Sequence, residues 1–201
     1  MNGISMHKTR EMAYTALMAA AICALAPFQI PVGPVPVTLA TFAVYVAAAT
    51  LGAGRGAAAV ALYIALGAIG LPVFSGFSGG LPKLFGPTGG YIAGYLPCAA
   101  VTGFFADWYS RRRAAREGGA AGEKRGAARS RRPWMYAAGM ALGTVLCYTV
   151  GTAWFVYQRG VTWGAALAIC ALPFLPFDAV KIVAASAISP VIRARLKLEY
   201  G

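Results

Sequence analysis

The chain has 201 residues, 59% of them hydrophobic and 12% charged, where soluble domains carry about 25% charged residues. So little polar surface excludes a water-soluble globule and makes the bilayer the expected solvent, and the length suits one bundle with no separate soluble catalytic domain. The net charge of +12 does not point to nucleic acid, because the cations are bunched between apolar runs as the positive-inside rule requires.

The N-terminus is basic and precedes an apolar run. A cleaved signal peptide is one reading. The run leads into further apolar segments without a convincing cleavage site, so a retained first helix is the expectation. That first span is placed at 12–26 and is rich in alanine. Small residues let helix backbones approach closely in lipid, and Ala16 and Ala20 form a small-xxx-small pair.

Pro27, Pro31, Pro34 and Pro36 cannot be helix interior, so an extended, stiff loop follows. The second span is expected at 37–51, a short turn at 52–56, and the third span at 57–71. The glycine- and proline-rich stretch 72–90 is read as irregular. It nevertheless carries Phe74, Phe77, Leu81, Leu84 and Phe85, so it is expected to fold onto the protein as a lid or pocket wall.

The fourth span is placed at 91–108 and the fifth at 134–157. Between them, 110–132 holds nine cations and reads as a flexible, solvated cytoplasmic loop flanked by Trp108 and Trp134. A partial helix is expected at 162–172, interrupted by Pro173 and Pro176. The sixth span runs over 176–197, with Pro176 in its first turn and a kink at Pro190. Six spans put fifteen of the 18 cations on the side of the termini and only Lys83 and Arg159 on the other, with Lys181 inside a span. The termini are therefore expected in the cytoplasm and the three unusual loops on the outer face of the cell membrane. The fold class is an all-α, polytopic six-helix bundle with structured outer loops, forming a single membrane domain over 1–201.

Asp107 and the other acidic residues lie in polar segments or near the cytoplasmic ends of spans, whereas Asp178 sits within an apolar run, and Lys181 follows it three positions later. On a helix that spacing puts both on one face, about 5–6 Å apart at Cβ. Either the two neutralise each other, with Asp178 favoured at a helix N-terminus, or they form a polar recognition patch facing the bundle interior, the reading favoured here because ionisable groups inside a membrane are costly. The inventory excludes other chemistry. Cys23, Cys98, Cys147 and Cys170 sit singly in apolar stretches, the single histidine is the N-terminal His7, and there is no phosphate-binding Gly-x-x-x-x-Gly-Lys-[Ser/Thr] loop. No metal site, cofactor, ATPase or enzymatic centre is indicated.

The elements Gly70-Leu71-Pro72-Val73-Phe74-Ser75-Gly76, Gly86-Pro87-Thr88-Gly89-Gly90-Tyr91 and Pro173-Phe174-Leu175-Pro176-Phe177-Asp178-Ala179-Val180-Lys181, with the early Pro31-Val32-Gly33-Pro34-Val35-Pro36-Val37-Thr38-Leu39, resemble the BioY family of biotin-specific S components of energy-coupling factor (ECF) transporters. The resemblance implies a six-helix bundle with cytoplasmic termini and biotin bound near the outer face beneath the first and third loops. It implies that Asp178 and Lys181 are the family's Asp-x-x-Lys ligand pair. It implies that Ala16 and Ala20 belong to the small-residue motif that docks on the transmembrane coupling subunit, which works with two ATPase subunits. Phe177 departs from the glycine expected there.

Biotin offers ureido N–H donors, a carbonyl, an apolar ring and a carboxylate. Asp178 suits the ureido N–H groups and Lys181 either the carbonyl or the carboxylate. Phe74, Phe77 and Tyr91 can cover the ring, although packing against the bundle accounts for each loop aromatic at least as well, and Ser75, Thr88 and backbone N–H groups can supply further hydrogen bonds. The alternative function is a stand-alone small-solute carrier that needs no ATPase.

Overall fold

The computed structural model describes residues 3–31, 35–118 and 133–196. Apart from one two-stranded ladder, its regular structure is helical. The first helix, α1, spans Gly3–Leu25 and so begins well before the expected apolar run. The proline-rich loop is not wholly irregular. Its ends pair as a minimal antiparallel ladder of β1, Gln29–Ile30, and β2, Val37–Thr38, with Gln29 opposite Thr38 and Ile30 opposite Val37. Residues 37 and 38 are therefore strand, and the second helix, α2, starts later, at Ala40–Leu51.

The expected turn at 52–56 shrinks to Gly52 alone, because α3 spans Ala53–Ala68. Gly52 has φ +89°, a conformation open to glycine at little cost. The loop 72–90 also holds more order than its composition predicts. A single helical turn, α4, covers Leu81–Leu84, with Pro82 tolerated in the first turn where backbone N–H groups are unpaired anyway.

Helix α5 spans Gly89–Gly118, running ten residues past the expected end at 108. Arg, Ala and Glu beyond Trp108 are strong helix formers, so the chain leaves the apolar run without leaving the helix. Part of the basic segment expected as loop is thus helical, and 119–132 lies outside the described residues. Then come α6, Pro133–Arg159, and a short α7, Trp163–Cys170. Thr162 caps α7, its hydroxyl accepting from the Ala165 N–H at 3.4 Å. Last is α8, Leu175–Leu196.

Among the described residues two helices, Trp134–Arg159 and Leu175–Leu196, are long and apolar enough to cross a membrane; α2 and α3 are apolar but shorter. Their outer faces agree with a lipid solvent: Val180 and Val183 on α8 are 70% and 67% exposed, and Val145 on α6 is 60% exposed.

Helix α2 lies at the centre, packed against α1, α3, α5 and α8. Its Val44, Tyr45 and Ala48 are fully buried. Helix α5 packs most extensively on α6. One cluster forms the core, with Ile22, Tyr45, Tyr63, Phe74 and Met140 among its largest members.

Candidate functional site

The segments between α1 and α2, between α3 and α5, and between α7 and α8 gather at one end of the bundle and roof it. The ladder end is tied to the Phe74–Ser78 turn through the Gly76 N–H to Pro27 carbonyl bond at 2.9 Å and the edge-on contact of Phe28 with Phe77, centroids 5.6 Å apart. The segment before α5 is held from α6, where Trp154 Nε1 donates to the Gly86 carbonyl at 2.9 Å and Gln158 Nε2 to the Phe85 carbonyl at 2.8 Å.

Beneath this roof lie two small neighbouring cavities. Val35, Pro36, Thr38, Tyr91 and Tyr95 line both. The first is neutral and adds Ser75, Thr88 and Tyr63. The second reaches Thr41, Tyr148, Phe174, Asp178 and Lys181.

The charged group in the second cavity is a network of four side chains from three helices. Asp178 stands in the first turn of α8, where the helix dipole favours an anion. Its Oδ1 accepts from Lys181 Nζ at 3.0 Å and from Thr41 Oγ1 at 3.4 Å. Its Oδ2 accepts from the Tyr148 hydroxyl of α6. Lys181 Nζ also donates to Thr41 Oγ1 at 3.0 Å. Asp178 is only 4% exposed, so this carboxylate is compensated by its neighbours rather than by water. The result is a small apolar chamber with one ion pair and several hydroxyls on its wall, chemistry suited to a compact ligand that carries both N–H donors and acceptors.

The structure brings Asp178, Lys181, Tyr91, Thr88 and Ser75 to the walls of these adjoining cavities. It does not bring Phe74. That ring is fully buried edge-on against Tyr63, centroids 5.5 Å apart, over Gly67, and belongs to the core. Phe77 is 63% exposed on the roof. Phe177 points outward, 42% exposed, and lines neither cavity. Ala16 and Ala20 lie together on the exposed face of α1, while Ala19 turns inward.

Sequence reasoning missed Thr41 and Tyr148, the two partners of the ion pair, and Tyr95 and Thr38 on the wall. Each is a hydroxyl in or beside an apolar run, the residue type that must find a partner once water is excluded. It also missed two ion pairs at the opposite end of the bundle, Glu11–Arg55 at 2.5 Å and Asp107–Arg193.

The BioY family profile matches residues 1–198. The chain belongs to the BioY family. Among BioY proteins, it is 40% identical to the biotin transporter BioY of Rhodobacter capsulatus over 91% of this chain and 93% of that one. It is 36% identical to the biotin transporter BioY of Thermotoga maritima over 90% of this chain and 94% of that one. A crystal structure of the S-component for biotin from an ECF-type ABC transporter superposes with a TM-score of 0.79 at 27% identity, covering 99% of this chain and 96% of that one. In this BioY chain Thr88 and Tyr91 of the Gly86–Tyr91 element line the cavities and the Asp178-x-x-Lys181 element supplies the charged wall.

Proposed function

We propose that this chain is a biotin-uptake protein, the S component of an ECF-type transporter, and not an enzyme. Membership of the BioY family supports this. The structural observation that carries it is the Asp178–Lys181 pair, bonded to Thr41 and Tyr148 and set in the wall of a roofed cavity. Biotin is the ligand. Asp178 accepts from its ureido N–H groups, and Lys181 donates to its carbonyl or carboxylate. Tyr91 covers the apolar ring, and Ser75 and Thr88 hydrogen-bond from the neutral cavity. Phe74 contributes from behind, as packing under the roof.

Six helices, α1, α2, α3, α5, α6 and α8, span the cell membrane as one domain, with both termini in the cytoplasm and the roofed end outside. The cation distribution supports this orientation, since the basic segment after Trp108 and the Arg193–Arg195 end of α8 lie away from the roof. The exposed Ala16–Ala20 face of α1 docks on the coupling subunit, and two ATPase subunits energise transport.

The test is calorimetric titration of the purified, detergent-solubilised chain with biotin, against riboflavin as a control vitamin. Selective biotin binding supports the assignment. No binding by well-folded protein removes biotin as the ligand.

A further inference from the structure

We infer that Arg193 and Asp107 are positioning residues for the Asp178–Lys181 site, holding α8 in register along α2 from the opposite end of the bundle. The two helices lie side by side and run in the same direction. At the roofed end they meet through Thr41 of α2 and the ion pair of α8. At the far end they meet through Arg193, whose Nη1 donates to the Ala49 carbonyl in the last turn of α2 at 2.8 Å.

The other arm of the same guanidinium donates to Asp107 Oδ1 of α5. Asp107 Oδ2 in turn accepts from the Ala53 N–H, the first residue of α3, at 3.0 Å. One carboxylate and one guanidinium thus fasten α2, α3, α5 and α8 together. The fit requires Gly52, since a Cβ there would come within 2.5 Å of the Asp107 carboxylate. Arg193 is 5% exposed, so its charge depends on these partners.

Between the two meeting points α8 turns Ala185 and Ser189 inward, side chains small enough for close helix approach. A shift of α8 at Arg193 therefore carries along a packed seam to Asp178, roughly 22 Å away at 1.5 Å per residue. Thr41 bonds both members of the ion pair, so it registers any slip between the helices.

The affinity arm of the test rests on the biotin assignment; the exchange arm does not. Biotin is titrated into the full chain and into Arg193→Gln, Arg193→Lys, Asp107→Asn, Thr41→Val and the Arg193→Gln/Thr41→Val double variant, with stoichiometry reporting the folded fraction. Arg193→Gln and Asp107→Asn are expected to weaken affinity about tenfold at unchanged stoichiometry, with Arg193→Lys recovering part of the loss. Because both act through the α2–α8 register, the losses from Arg193→Gln and Thr41→Val are expected not to multiply. Unchanged affinity in Arg193→Gln, or losses that multiply in full, overturns the inference. Should Arg193→Gln yield no folded protein, Arg193→Lys and its double variant with Thr41→Val are judged by the same two criteria.

Amide exchange of ligand-free protein decides independently. Faster exchange in the first turns of α8, with the outer turns of α6 unchanged, supports the clamp; faster exchange confined to the turn around Arg193 overturns it. If the wild-type chain binds no biotin, the ligand assignment falls, and exchange alone judges the clamp.

Discussion

The hydroxyl of Tyr148, on α6, donates to Asp178 Oδ2, while Lys181 holds Oδ1 from within α8. With Thr41 of α2 also bonded to Oδ1, the carboxylate is oriented by protein side chains from three helices. Such preorganisation favours binding because less ordering remains to be done. Removing the hydroxyl leaves the ring in place but frees one oxygen of a buried carboxylate. Hydrogen bonds to charged groups contribute about 1.5–3 kcal/mol. Tyr148→Phe is expected to lower biotin affinity about tenfold or more, read by titration, with little change in protein yield. Unaltered affinity would show that Tyr148 has no part in orienting Asp178.

The ion pair itself admits two roles, mutual neutralisation or recognition, and a double substitution separates them. Lys181→Met alone strands a buried carboxylate, and breaking a buried pair costs about 3–5 kcal/mol. Replacing both partners with apolar residues of similar size often restores stability. Asp178→Leu/Lys181→Met is therefore expected to melt near the wild-type temperature, well above Lys181→Met, and yet to bind no biotin. Biotin binding by the double variant would reduce the pair to a structural device.

Much of this was legible in the residues, and the failures have common causes. Apolar length and proline placement located the helices because lipid leaves the backbone no alternative to internal hydrogen bonding. Asp178 and Lys181 stood out because charge in an apolar run is rare. Thr41 and Tyr148 did not, since hydroxyls are common in membrane helices and only tertiary packing decides which meet. Phe74 misled for a related reason: an aromatic in a glycine-rich loop reads equally as a ligand contact or as a plug. The deciding fact, its fit over Gly67 against Tyr63, joins segments that sequence order does not pair. Asp107 and Arg193 stand near span ends, where charges are ordinary, so nothing in the sequence marks them as partners.

Phe74 and Phe77 give a contrasting pair of outcomes. Phe74 is fully buried and Phe77 is 63% exposed, though both belong to the same short turn. Phe74→Ala is expected to destabilise the chain by about 3–5 kcal/mol through a cavity under the roof. Gly67→Ala is expected to destabilise it from the other side, by pressing a methyl group into that ring. Phe77→Ala is expected to cost less than Phe74→Ala, about 0.5–1.5 kcal/mol for its edge-on contact with Phe28. Thermal melts in detergent check all three. Equal melting of Phe74→Ala and wild type would return Phe74 to the list of ligand contacts.

Ala16 and Ala20 lie on the exposed face of α1, one helical turn apart, and α1 is fastened to the bundle by Glu11–Arg55 at 2.5 Å and by Arg10 to the Leu196 carbonyl at 2.9 Å. The helix is thus fixed behind while its alanine face stays open. Small residues on such a face permit backbone-to-backbone approach by another helix, and a large side chain blocks it. Ala16→Trp and Ala20→Trp project away from both cavities, so each variant is expected to bind biotin as wild type does. Each is also expected to lose co-purification with the coupling and ATPase subunits and to lose uptake in cells that express them. Loss of biotin binding would mean that the bundle had been disturbed. Full assembly by both variants, with binding intact, would move the docking surface to another face of the bundle.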